Sequence, residues 1–405
     1  MNNLATDMSP PFVSVAIFFF SGVIFLIISL LVLLGSFENL IGNYQLQSNI
    51  GLTHLFLVGF VMSVIFGASY QLLPVALEVP MFSKDFSYIH SILHIIATSL
   101  FCSGFFINIE LIRFGSLLLY VSMMIFIINA LITFIKNKKY DIQSRFIFWG
   151  IIFLTIGVLI GFLLALNYFY PLLGNLSQKL LYSHIILVLF GFVFFIIIGI
   201  SMTLVPMFMI SHNFNQTPIE NSFYIATLGI SLLIIGIFTN SYFIIFGLIL
   251  IFLVLLTYLY QMYIIYKVRA RKKIDSWALH LIFSFWGLFG FLALFFIDTK
   301  SAFLVLFFLV FIPFINGHLA KIIPFLRWFD KFSPLVGKQK VPMLHEMINE
   351  KVAIYETYTS FIGAILLISG ILLHIKSIYI IGVCFLIIGS FMVVYNIFYT
   401  MKFKV

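Results

Sequence analysis

Long apolar runs alternate with short polar segments along the whole chain. A helix needs roughly 20 predominantly apolar residues to cross the hydrocarbon core of a bilayer. Twelve runs meet this requirement and predict spanning helices at 13–35, 50–77, 87–108, 112–135, 146–170, 180–210, 221–239, 241–266, 277–297, 301–325, 355–375 and 377–400. The pattern predicts an all-α, polytopic membrane protein, with one transmembrane domain over 1–405 and the lipid bilayer as its surroundings.

The composition supports this class. Of the 405 residues, 63% are hydrophobic and only 9% are charged, and the mean hydropathy is +1.20. A soluble domain carries roughly 25% charged residues, so this chain has too few polar groups to cover a surface that faces water. The net charge of +9 comes from residues in short connections, which excludes nucleic acid as the expected partner.

The basic residues predict the orientation of the chain in its membrane. Connections on one side hold Lys84, Lys136, Lys138, Lys139, Arg145, Lys267, Arg269, Arg271, Lys272, Lys273, Lys321, Arg327, Lys331, Lys338, Lys340, Lys351, Lys402 and Lys404. The other side holds Arg113, Lys179, Lys300 and Lys376. Because cytoplasmic loops carry the excess of Lys and Arg, we predict a cytoplasmic (inner) membrane protein with both termini in the cytoplasm.

The longest polar stretch is the predicted inner loop at about 327–357. It contains two prolines, an amphipathic turn and charges of both signs. These features are typical of an interfacial hairpin, and a docking site for a protein partner is the alternative.

A repeat of glycine and proline relates the second, sixth and tenth helices. The sequence GFVMSVIFGASYQLLPV begins at Gly59 and GFVFFIIIGISMTLVPM begins at Gly191, and Gly59, Phe60, Val61, Gly67 and Pro74 recur in the second segment at a constant offset of 132 residues. In the tenth helix, Gly317 and Pro324 repeat the seven-residue spacing of Gly67–Pro74 and Gly199–Pro206. Close helix packing and helix termination would explain each residue but not the periodicity. We therefore predict three pseudosymmetric four-helix units, and inverted transporter repeats would not give this pattern.

Several histidines fall within the apolar runs, where polar groups are costly and need a reason. His54 and His184 lie near the starts of the second and sixth helices, at similar depths in the repeat. His90 and His94 are four residues apart and share one face of the third helix, while His280 lies in the ninth. Neutral imidazole is a ligand for haem iron and for copper. The alternative is a packing residue bonded to a backbone carbonyl.

The carboxylates are expected to lie in loops or at helix ends. Glu78, Glu110, Asp275, Asp298 and Glu356 all fall at such positions in the predicted helices. Proton-coupled carriers need an acidic relay inside the membrane, so this placement argues against an ion-coupled carrier and against proton pumping through a glutamate channel.

The segment THLFLVGFVMSVIFGASYQLLPVAL, from Thr53 to Leu77, resembles the second helix of haem–copper oxidase main subunits, particularly of the nitric-oxide-reductase branch. The matching positions are held by His54, Gly67, Ala68, Tyr70 and Pro74. That superfamily has twelve helices in three four-helix units. The segment from His184 to Phe208 is similar to the haem-binding nitric-oxide-response family NnrS.

The chain departs from the oxidase pattern at the second metal. Its seventh helix lacks a histidine pair, and its tenth has only His318, so the usual copper site is missing. The resemblance implies a membrane haemoprotein with b-type haem, in nitric-oxide or redox stress, electron transfer or haem handling. Copper or another metal is left open. Any reaction would be of the nitric-oxide-reductase type, with a cytochrome or quinol electron donor, and the chain could form a homo-oligomer.

The placement of the histidines and the family resemblance together give the candidate site residues. The predicted haem-site residues are His54, His184, His94 and Tyr70, and the predicted metal ligands are His54, His184, His94 and His280. Two alternatives remain at this point: a permease without haem, and an assembly or regulatory subunit.

Overall fold

A computed structural model of the chain describes residues 8–42, 46–137 and 140–404. Its twelve long helices are α1 (Phe12–Leu34), α2 (Gln47–Leu77), α3 (Asp85–Gly104), α4 (Glu110–Ile135), α5 (Ile142–Asn167), α6 (Leu176–Met209), α7 (Thr217–Phe238), α8 (Ser241–Lys267), α9 (Ser276–Leu294), α10 (Thr299–Lys331), α11 (Glu350–Leu372) and α12 (Lys376–Met401). All twelve are long and apolar enough to span a membrane. Helix makes up 82% of the structure, and the described residues contain no strand. The predicted all-α, multi-pass membrane class is confirmed.

Two predictions fall partly outside the described residues. Lys138 and Lys139, which contribute to the predicted inner-side charge, are not among them. Neither are residues 1–7 and 405, which contain the two termini.

The chain forms two compact units. The first contains residues 1–10, 68–101 and 109–272, and the second contains residues 11–67, 102–108 and 273–405. Since α2 contributes its first part to the second unit and its last part to the first, the units do not correspond to consecutive halves of the chain. That the whole chain is one transmembrane domain stays a prediction.

The polar connection before α11 is shorter than predicted. Helix α10 continues to Lys331 and α11 already begins at Glu350, so the connection between them replaces the predicted loop at 327–357. Two short 3₁₀ turns, Ser333–Leu335 and Leu344–Glu346, lie within it. Asn349 caps α11 by accepting a hydrogen bond from the amide of Val352, which explains the early start of this helix.

Helix α3 shows most directly that the surroundings are apolar. Its polar residues Ser87, His90, Ser91, His94 and Thr98 are completely buried. The opposite face presents three isoleucines at 89, 92 and 96, each about half exposed. A helix in water would show the reverse arrangement, so this face is suited to lipid.

Three helices stand apart from the rest: α2, α6 and α10. They are 31, 34 and 33 residues long, and no other helix exceeds 27. In their most apolar stretches 72%, 72% and 78% of the residues are buried, against 56% or less in the other nine. They are the core helices, and they are the three that carry the glycine–proline repeat.

Each of these core helices contains a π-helical segment. The segments are Leu55–Met62 in α2, Ile186–Val193 in α6 and Leu306–Phe311 in α10. Such i→i+5 turns are rare and occur frequently at functional sites. These segments recur every four helices, which agrees with the predicted units of four helices along the chain.

The glycines of the core helices pack against the preceding helix in each case. A side chain at Gly59 would meet Phe25 of α1, and one at Gly191 would meet Phe153 of α5. The repeat prolines do not end their helices, because α2, α6 and α10 all continue beyond them.

The last two helices of each group of four also pair through glycine. A Cβ at Gly115 of α4 would clash with the backbone of Phe101 in α3. A Cβ at Gly247 of α8 would lie 2.9 Å from the carbonyl of Gly229 in α7. In the same way, a Cβ at Gly363 of α11 would lie 2.9 Å from the carbonyl of Gly382 in α12. The same two kinds of contact therefore recur every four helices along the chain.

Candidate functional site

His54 and His184 lie at similar depths in their helices, five and seven residues before Gly59 and Gly191. His54 is the last α-helical residue before the π-helical segment of α2. His184 lies one residue before the end of the α-helical part of α6, two residues ahead of its π-helical segment. The sequence predicted similar depths for the two residues, and the structure adds that both lie where the helix changes its hydrogen-bonding pattern.

The two imidazole rings also share a hydrogen-bonding state. The Nδ1 of His54 lies 2.8 Å from the carbonyl oxygen of Ile50, and the Nδ1 of His184 lies 2.8 Å from that of Gly157. A carbonyl oxygen can only accept, so Nδ1 carries the hydrogen in both rings. In the neutral rings Nε2 then holds the lone pair, which is the state of a histidine that binds a metal through Nε2.

His184 lies in a notch on α5 that two glycines form. Its hydrogen bond goes to Gly157, and a Cβ at Gly161 would lie only 2.7 Å from its Cε1 atom. A Cβ at Gly157 would lie 2.7 Å from Cγ2 of Val188, so neither glycine can be enlarged without moving a side chain of α6. The ring orientation is therefore set by α5 as well as by α6.

His54 is oriented by its own helix and by an aromatic side chain. Its ring stacks on Phe105, with 6.2 Å between the ring centroids and an angle of 12° between the planes. The close approach depends on Gly51, where a Cβ would lie 2.7 Å from the Cβ of Phe105. Both candidate ligands thus depend on a glycine for their position, and both are half-buried.

Tyr70, His90 and His94 form a second cluster, within the first unit. The hydroxyl of Tyr70 lies 3.1 Å from Nδ1 of His90, and the rings of His90 and His94 are 5.6 Å apart between centroids. Phe126 of α4 covers Tyr70 and His90, with centroid distances of 5.7 Å and 5.9 Å. The structure therefore brings together two of the predicted haem-site residues, Tyr70 and His94, through His90.

Three further hydroxyl groups are buried in the same three helices. Ser69 on α2, Thr98 on α3 and Ser122 on α4 are fully buried, and none of their hydroxyl oxygens has a hydrogen-bond partner among the described residues. The close contact of Gly115 with Phe101 sets the antiparallel register of α3 and α4. In this register Ser122 lies at the level of His94, one turn from the level of His90.

His280 differs from the other candidates. Its Nδ1 lies 2.8 Å from the carbonyl oxygen of Ser276, and its Nε2 lies 2.5 Å from Oε2 of Glu356. Both ring nitrogens are therefore engaged within the protein. We leave His280 out of the haem proposal for this reason.

Glu356 contradicts the expectation that every carboxylate lies in a loop or at a helix end. Because α11 begins at Glu350, Glu356 lies inside this helix, and only 3% of its surface is exposed. Asn316 Nδ2 and Ser360 Oγ donate hydrogen bonds to its Oε1 at 2.9 Å and 2.8 Å. The sequence contained one signal, since Glu356 and Ser360 are four residues apart on one helix face.

The candidates divide between the two units. His184, His94 and Tyr70 belong to the first, whereas His54 and His280 belong to the second. Among the described residues, no three His, Cys, Asp or Glu side chains converge to hold a metal ion. That result concerns ions bound by protein ligands alone, whereas a haem needs only one or two axial ligands from the chain. The donor chemistry of His54 and His184 fits such an axial role.

Comparisons with known proteins add no family to this description. No protein-family model matches the chain, and no curated protein shows significant similarity to it. The site must therefore be interpreted from its own geometry.

Proposed function

We propose that the chain is a haem-binding integral membrane protein similar in plan to haem–copper oxidase main subunits, with one or two b-type haems held by His54 as a ligand and by His184 as a ligand or pocket residue. The observation that supports this most strongly is the shared position of the two histidines. His54 directly precedes a π-helical segment and His184 lies two residues before one, and each donates its Nδ1–H to a carbonyl oxygen at 2.8 Å. His280 and His318 make the same kind of Nδ1 bond, so the position close ahead of a π-helical segment is what distinguishes His54 and His184.

Bound haem would supply one-electron chemistry and a coordination position for nitric oxide. The chain itself would orient the two imidazoles through the carbonyl oxygens of Ile50 and Gly157. Tyr70 and His94 belong to a buried polar cluster that could contribute to a haem pocket.

The role that follows is electron transfer, haem handling or a response to nitric oxide and redox stress. If the protein is an enzyme, it is an oxidoreductase of the nitric-oxide-reductase-like type that takes electrons from a cytochrome or quinol. Neither copper nor a homo-oligomer is needed for this role. Oxygen reduction is not proposed, because the histidine pair of the usual copper site is missing from the seventh helix.

The proposed location is the cytoplasmic membrane, with both termini inside. Its support is the unequal distribution of Lys and Arg between the two sets of connections. In this orientation His54 and His184 lie toward the outer side.

Visible spectroscopy combined with metal analysis tests the proposal. The chain is produced with ample haem, purified, and its reduced-minus-oxidised spectrum is recorded together with its iron content. We expect a Soret band and iron bound in proportion to protein. A preparation that is folded but has neither band nor iron would rule the proposal out and favour a permease whose histidines serve packing.

A further inference from the structure

Helices α9, α10 and α11 share a buried polar cluster that the haem proposal does not use. We call the four side chains His280, Glu356, Asn316 and Ser360 the carboxylate cluster. All four are at most 3% exposed, and all belong to the second unit. A carboxylate buried in a membrane-spanning helix is costly and by default has a functional role.

The hydrogen bonds of this cluster determine how many protons it holds. Nδ1 of His280 faces the carbonyl oxygen of Ser276, so it carries a hydrogen. Nε2 lies 2.5 Å from Oε2 of Glu356, a distance at which two acceptors would repel each other. One additional proton therefore lies between the imidazole and the carboxyl group. The pair is neutral overall, which is the state that burial favours.

The cluster opens on a cleft between the ends of α10, α11 and α12. Glu356 and Asn316 line this cleft together with Asn396 and Thr400 of α12, and Pro324 and Val393 line it as well. Asn316 donates to Glu356 through Nδ2, while its Oδ1 accepts no hydrogen bond from any described residue although the side chain is 2% exposed. A buried acceptor of this kind needs a donor, and a proton-bearing molecule in the cleft would provide one.

Other charged groups around the cluster are already paired or lie apart from it. On the α9 side, Asp275 forms an ion pair with Lys321 of α10 at 2.6 Å. On the α11 side, Glu350 accepts hydrogen bonds from the amide and hydroxyl of Ser276. His318 of α10 bonds through Nδ1 to the carbonyl oxygen of Phe314. Helix α12 contributes only uncharged residues to the lining.

From this geometry we infer that the His280–Glu356 pair is a proton-binding site inside the membrane, which exchanges its proton with water through the cleft beside Asn316. On release, the proton shared by Nε2 and Oε2 passes to water, leaving a neutral imidazole and a carboxylate. On uptake the same proton returns from water, and no other bond changes. The substrate of this site is the proton, and the inference does not depend on haem.

Infrared difference spectroscopy tests the inference on the purified chain in lipid nanodiscs, between acidic and alkaline buffer. We expect a pH-dependent carboxyl C=O band that is lost in Glu356→Gln and shifted in His280→Gln. The matched control is Glu346→Gln, which removes an exposed carboxylate of the adjoining connection and keeps the band. A spectrum of folded Glu356→Gln identical to that of the wild type would show that the pair is a packing contact that never exchanges its proton.

A second variant keeps the test decisive if Glu356→Gln does not fold. Asn316→Leu retains both titrating groups but places an apolar side chain in the cleft. We expect exchange of the carboxyl proton in D₂O to slow several-fold in this variant, and an unchanged rate would contradict the proposed route. The band is measured with and without haem in the preparation, so its loss and the loss of the Soret band are separate outcomes.

Discussion

His184 and His280 make the same kind of hydrogen bond through Nδ1 but lie in different surroundings. Each donates Nδ1–H to a carbonyl oxygen at 2.8 Å. The Nε2 of His280 faces Glu356 at 2.5 Å, whereas His184 lies half-buried in a glycine notch. The difference teaches that the role of a membrane histidine depends on what its second nitrogen meets. The surroundings of His184 belong to the haem proposal, and the His280–Glu356 pair belongs to the proton-site inference.

The largest expected difference between the His280–Glu356 pair and His184 is in how much each stabilises the fold. Replacing Glu356 by Leu leaves His280 buried with an unmatched polar group, and removing one partner of a buried pair typically costs about 3–5 kcal/mol. Removing both groups in His280→Phe/Glu356→Leu should recover much of that loss. Unfolding in graded denaturing detergent measures both variants. An equal loss in the single and double variants would contradict a coupled pair.

The corresponding loss at His184 should be smaller. His184→Ala removes one hydrogen bond to Gly157, and such bonds between membrane helices contribute about 0.6 kcal/mol on average. The same unfolding assay compares the two histidines directly. A loss at His184 as large as that at Glu356 would remove the distinction between the two regions.

Deletions in the π-helical segments test whether haem binding depends on the placement of His184 in its helix and not only on its presence in the sequence. Deleting Val188 from the segment of α6 should restore α-helical spacing and change the orientation of His184 relative to the rest of the helix. The bond to Gly157 would be lost, and with it the part of the Soret absorbance that depends on His184. Deleting Leu309 from the segment of α10 is the matched control, because no histidine precedes that segment. An equal spectral change in both deletions would contradict the proposal.

The glycine notch can be tested with a smaller change. At Gly161 the added methyl of Gly161→Ala would lie 2.7 Å from the His184 ring, and overpacking of this kind costs about 1–3 kcal/mol. We expect weaker haem retention, measured as the fraction of haem left after competition with an apoprotein acceptor. Gly290→Ala is the control, since its new methyl would meet its nearest neighbour at an ordinary 3.5 Å. Unchanged retention in Gly161→Ala would mean that the notch does not position the ring.

The sequence was a good guide to the helices and a poor one to the interior. The lengths of the apolar runs are enough to predict the twelve helices. The repeat of Gly59 and Gly191 was visible in the sequence because small residues recur where helices pack closely. The π-helical segments have no comparable sequence signal, since their residues are as apolar as those of the flanking turns. The sequence placed Glu356 at a helix end because charged residues lower the mean hydropathy. The predicted helix therefore began at 355, whereas α11 begins at Glu350. The partner of Glu356, His280, is distant along the chain, so no local pattern could reveal the pairing.

A pH-dependent effect should come from the start of α10, which differs from the starts of α2 and α6. The side chain of Asp298 accepts from the amide of Lys300 and caps the helix, whereas Asn175 before α6 makes no such bond. The hydroxyl of Ser301 contributes most to holding the pKa of Asp298 below its ordinary value. The cap therefore stabilises the fold above the ordinary pKa, and this contribution is lost as the pH falls through the lowered value.

Thermal unfolding of Asp298→Ala measures that contribution. We expect a loss of about 1 kcal/mol at neutral pH that fades in acid, and a smaller loss that does not depend on pH in Asn175→Ala. A pH-independent loss in Asp298→Ala would show that the carboxylate charge is not involved.

The most direct test of the central claim is the visible spectrum of three variants prepared with ample haem. His54→Ala and His184→Ala should each lose or shift a Soret component, while His212→Ala, which changes a histidine outside the long helices, should match the wild type. If folded His54→Ala and His184→Ala both retain the wild-type spectrum, neither histidine is a haem ligand and the account is wrong.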